Sequence, residues 1–84
     1  MNVDPTAVTT DCRRAVALLL HHIDDHPSGV AAVLQDAAED GRSVDLVLAL
    51  LDLITSIAPH IESELGRQIL QATIMRLAER EVAD

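Results

Sequence analysis

Ser43-Val44-Asp45-Leu46-Val47-Leu48-Ala49-Leu50-Leu51-Asp52-Leu53-Ile54-Thr55-Ser56-Ile57-Ala58 is the stretch that decides how this chain folds. Wound as a helix, it sets Asp45, Ala49, Asp52 and Ser56 on one narrow line at i, i+4, i+7 and i+11. Val44, Leu46, Val47, Leu48, Leu50, Leu51, Leu53, Ile54 and Ile57 occupy the rest of the circumference. A helix that is apolar over most of its surface must be surrounded, either by its own domain or by a second chain. Ser43 reads as its N-cap, and Asp45 stands in the first turn, where the helix dipole favours a negative charge.

On the N-terminal side, Asp40-Gly41 reads as the left-handed stop of a short second helix over about Pro27–Glu39, with Val30, Val33, Leu34, Ala37 and Ala38 as its apolar face. Two turns of Val and Ala are too few to be stable alone. Before it, Asp4 as N-cap, Pro5 at the first helical position and Val3 set to pack on Val8 start a first helix. Val8, Cys12, Ala15, Val16, Leu19 and Ile23 form its stripe, and Pro27 should end it near His26.

On the C-terminal side, Ile57-Ala58-Pro59 reads as a tight corner in preference to one kinked helix running through both segments. The fourth helix is expected from Pro59 towards Val82. Glu62 and Glu64 come early and Arg76 and Arg80 late, as the macrodipole favours. Ile61, Leu65, Ile69, Leu70, Ala72, Ile74 and Leu77 spread over about half its circumference, wider than the stripe of an ordinary surface helix. Gly66, inside this arc, reads as a site of close helix approach in preference to a hinge. Arg76 and Arg80 extend the arc; beside Glu79 and Glu81 they read first as ordinary solvated helix surface, with the charged rim of an apolar interface as the alternative.

Eighty-four residues, 49% apolar with no Phe, Tyr or Trp, make a single domain with a core of small aliphatic side chains. Mean hydropathy of +0.22 excludes a disordered chain. Leu and Ala lead the composition, and without aromatics a β-fold is disfavoured. Six Arg and no Lys stand against fourteen carboxylates, for a net charge of −8. That sign repels phosphate backbones and anionic membranes, and no aromatic platform is present to stack bases, so direct nucleic-acid and membrane binding are not expected. The acidity is spread evenly along the chain, which suits solubility better than a dense row of carboxylates imitating nucleic acid. Met1-Asn2-Val3-Asp4-Pro5 has no basic region leading into an apolar run, and no stretch approaches the ~20 residues of a membrane span, so a cytoplasmic protein is expected.

Chemistry-bearing groups are sparse. In His21-His22-Ile23-Asp24-Asp25-His26, the pair His22 and His26 has the i, i+4 spacing by which a helix offers two imidazoles to zinc, and His21 with Asp25 repeats it. Two ligands do not make a centre, and neither His60 nor Cys12 stands at motif spacing. The simpler reading is imidazoles set against the carbonyls of a helix C-terminus, and no metal or cofactor is expected. Cys12, on the stripe of the first helix, is expected to be buried and slow to react with thiol reagents. No nucleophile elbow, Gly-rich loop or other catalytic constellation is visible, so an enzyme is not expected.

Leu46-Val47-Leu48-Ala49-Leu50-Leu51-Asp52-Leu53-Ile54, followed by a Pro-started, Arg-closed helix, resembles the short all-helical proteins of high-GC actinobacteria and their phages. Arg in place of Lys and abundant Ala, Val and Asp fit that background. The resemblance implies an all-α fold but no activity and no site residues.

Together these features predict a compact all-α domain of four helices, three long or medium and one short, with the third helix central. The apolar arcs of helices three and four exceed what so small a monomer should expose, which predicts a homodimer. Leu46, Leu50, Leu53, Ile57, Ile61, Leu65, Ile69 and Leu70 are expected to divide between core and interface. The function expected is a protein-interaction module with a further protein partner. The alternatives are a metal-linked or catalytic role at His22 and His26, and an acidic mimic of nucleic acid.

Overall fold

The structure, a computed structural model, describes residues 4–83. Those residues are almost entirely helical and contain no strand: α1 Pro5–Ile23, α2 Pro27–Glu39, α3 Ser43–Ile57, a 3-10 turn Pro59–Glu62 and α4 Glu64–Ala83. The all-α expectation holds, with four helices in the expected order.

Local chemistry sets the ends. The Asp4 side chain accepts the Thr6 N–H at 2.9 Å and Pro5 opens α1, as expected. The staple expected from Val3 lies outside the described residues. α1 stops at Ile23, three residues before the expected end, because Asp25 takes a left-handed φ of 54°. The N–H groups of Asp25 and His26 then return to the carbonyls of His22 (3.2 Å) and His21 (2.9 Å), the Schellman pattern. α2 ends in the same pattern at Gly41, φ 69°, with Arg42 N–H bonded to Ala37 C=O at 2.8 Å and Gly41 N–H to Ala38 C=O at 3.1 Å. The chain is thus already turned into α3 at Arg42. Its carbonyl accepts the Leu46 N–H at 2.9 Å and places the cap one residue before the Ser43 expected there.

The fourth segment also begins differently. Pro59–Glu62 closes as a 3-10 turn, and Ser63 caps α4: its Oγ accepts the Gly66 N–H at 3.1 Å and its carbonyl the Arg67 N–H at 2.9 Å. Gly66 lies against the turn it follows, so that a Cβ there would stand 2.5 Å from the Ile61 carbonyl oxygen and 2.7 Å from that of His60. Alanine in the body of a helix normally stabilises it by about 1 kcal/mol over glycine. Here Gly66→Ala is expected to destabilise by about 1–3 kcal/mol, since the obstacle is backbone. Hydrogen exchange should show it as faster exchange of the amides at positions 66 and 67, which report the cap.

The chain groups into two compact units, residues 1–54 and 55–84. In the first, Ala15 of α1, Ala37 of α2 and Leu46 of α3 are buried together, with Leu18, Val33, Ala49, Leu50 and Leu53 packed around them. Alanines at the α1–α2 contact let the helices approach closely, and Leu46, 2% exposed, is the largest side chain wholly buried among the described residues. In the second unit no described residue is buried; Thr55, Ala58, Ile61, Gly66 and Thr73 are half-buried. No helix is long and apolar enough to cross a membrane among the described residues.

Candidate interaction surface

α3 has two apolar faces. Leu46, Ala49, Leu50 and Leu53 point at the core, while Val44, Val47, Leu48 and Leu51, at i, i+3, i+4 and i+7, form a second stripe that is exposed. Val44 is 71% exposed and Leu48 56%. On α4, Leu65, Ile69, Leu70, Ile74 and Leu77 are each at least half exposed. Of the eight positions expected to divide between core and interface, Leu46 is buried and Leu50, Leu53 and Ile61 are half-buried. Ile57, Leu65, Ile69 and Leu70 are exposed. The outer stripe of α3 was missing from that set, although its spacing could have shown it.

A groove of about 440 Å³ runs between α1 and α3 within the first unit. Ala7, Val8, Cys12, Leu48 and Ala49 give it apolar lining, and Asp4, Asp45 and Asp52 stand around it with the Asp11–Arg42 pair. Cys12 is exposed here, contrary to expectation. The buried face of α1 carries Asp11, Arg14, Ala15 and half-buried Leu18 instead. It is rotated by about a third of a turn from the stripe of highest hydrophobicity. Cys12 is therefore expected to react with a maleimide in the native protein nearly as fast as in the unfolded chain, read by mass spectrometry over time.

Two buried charges on α1 explain that rotation. Asp11 (5% exposed) accepts both Nε (3.2 Å) and an NH2 hydrogen of Arg42, which also approaches Asp45 at 3.5 Å. Arg14 (6% exposed) donates from Nε to Asp36 at 3.0 Å and from an NH1 to Asp40 at 3.2 Å, tying α1 to the last turn of α2 and its C-cap. The bond from Arg42 outweighs burial and holds the Asp11 carboxyl below the ordinary carboxylate range. Burial works against the Arg14 charge, but the Asp36 and Asp40 bonds exceed it and raise the guanidinium above its ordinary value.

Since the folded-state pKa of Asp11 is depressed, its stabilising contribution is complete above the unfolded-state value and is lost as pH falls through the folded one. Asp11→Asn should melt below the wild type at neutral pH, with the gap closing as the solution is acidified below about pH 4. Thermal unfolding by circular dichroism across that range measures the gap.

His22 and His26 are not brought together as one helical pair, because α1 ends between them. The His26 Nδ1 meets the His21 Nδ1 at 3.1 Å, the rings standing edge to face with centroids 5.0 Å apart. The His21 ring lies over the buried Gly29, where a Cβ would fall 2.6 Å from its Cγ, so the pair locks the α1–α2 corner. Among the described residues no three His, Cys, Asp or Glu side chains converge in a metal-binding group.

No protein-family model matches this chain, and no curated protein or solved structure matches it either.

Proposed function

We propose that this chain is a small acidic protein-interaction module, an adaptor, regulator or inhibitor, that works through apolar helical surface and pairs with a second copy of itself through α3 and α4. The supporting observation is α4, where Leu65, Ile69, Leu70, Ile74 and Leu77 are each at least half exposed. Covering them contributes about 1 kcal/mol apiece from each copy, of which association entropy takes several. Charge does not oppose self-pairing at α4, which carries Glu64, Glu79 and Glu81 against Arg67, Arg76 and Arg80, a balance of zero. Two copies of it meet without the repulsion that a net −8 chain otherwise carries.

The acidic-mimic reading loses weight, because Asp11, Asp36, Asp40 and Asp45 are in ion pairs with Arg14 and Arg42. Mass by light scattering in low and high salt separates the two kinds of contact. An apolar pairing keeps its mass when salt is raised to about 1 M, whereas one held by charge dissociates.

A further inference from the structure

We infer that the groove between α1 and α3 is a docking site for a basic amphipathic helix of a partner protein. This rests on the interaction-module reading but uses the side of α3 that faces α1, apart from α4 and from Val44, Val47 and Leu51 on the outer stripe of α3. Val8, Cys12 and Leu48 offer apolar lining, and the volume of about 440 Å³ suits a short row of side chains.

Charge selects the occupant. Among the described residues four aspartates line the groove against one arginine, and Arg42 is engaged by Asp11 and Asp45. Residues 1–54 as a whole carry nine carboxylates and three arginines, a net of −6. A second copy of this unit is repelled from the groove, as is a phosphate backbone. A helix with leucine-like side chains at i and i+4, flanked by Lys or Arg, fills the apolar lining and places its cations beside Asp4, Asp45 and Asp52.

The probe is a synthetic fluorescein-labelled helical peptide with leucines at i, i+4 spacing and lysine flanks, paired with a twin carrying glutamate flanks. Binding to the full chain is read by anisotropy, and occupancy of the groove by protection of Cys12 from maleimide. The lysine peptide should bind and slow Cys12 labelling about tenfold at ten times its dissociation constant, while the glutamate twin does neither. Leu48→Glu, at a position already exposed, should leave the helical circular dichroism intact and remove the protection. Asp45→Asn and Asp52→Asn should each weaken binding roughly two- to fivefold and flatten its salt dependence.

The inference is overturned if the lysine peptide fails to bind, binds without shielding Cys12, or is matched by its glutamate twin. The mass of the peptide-free chain, taken on the same samples, keeps the two ideas apart. A dimer with an unprotected groove sinks the docking site alone, and a monomer with a protected groove sinks the self-pairing alone.

Discussion

Leu46→Ala is expected to destabilise the first unit by about 2–5 kcal/mol, a large part of the 5–15 kcal/mol that holds a small domain folded. Leu46 is 2% exposed and sits between Ala15 and Ala37, which are too small to close the space left by a lost isobutyl group. Leu48→Ala removes the same atoms two residues away on the same helix. Since Leu48 is more than half exposed on the outer stripe, its loss should cost under about 1 kcal/mol. Thermal unfolding followed by circular dichroism should show the first variant melting more than about 10 °C below the second. Equal losses would mean that α3 does not present Leu46 to the core and Leu48 to the outside.

Ile69→Glu is expected to weaken self-association by about 2–4 kcal/mol, roughly 30- to 1,000-fold, by placing a charge in the middle of the apolar arc of α4. The same substitution should leave the helical signal of the monomer unchanged, because Ile69 is 58% exposed and supports no core. Sedimentation velocity of the two proteins at matched concentration gives the comparison. A variant that sediments as the wild type does would remove Ile69 from the interface.

Local signals in the sequence carried much of the fold. Asp4-Pro5, Pro27 and Asp40-Gly41 mark their helix ends because capping and left-handed turns are chemistry of adjacent residues. The stop of α1 at Asp25 was hidden, since a left-handed φ at a non-glycine residue leaves little trace in composition. The start of α4 was hidden by competition: Pro59 and Ser63 both open helical turns, and only the Ser63 Oγ bond to Gly66 shows which begins the long helix.

The candidate surface was legible in part. Leu65, Ile69 and Leu70 follow from the breadth of the apolar arc on the fourth segment. The groove does not, because it depends on which way α1 faces. That facing is set by Arg42–Asp11 and Arg14–Asp36, pairs separated by 31 and 22 residues. Such pairs have no local signature, and hydrophobic periodicity alone turned Cys12 inward.

The most direct test of the self-pairing proposed for α3 and α4 is the mass of the full chain in solution. Without Trp or Tyr the protein is nearly transparent at 280 nm, so sedimentation equilibrium with interference optics is the suitable method. At tens of micromolar, about the range that burial of ten half-exposed aliphatic side chains sustains, the mass should approach twice the 9.0 kDa of the chain. A mass that stays at 9.0 kDa over that range would contradict it.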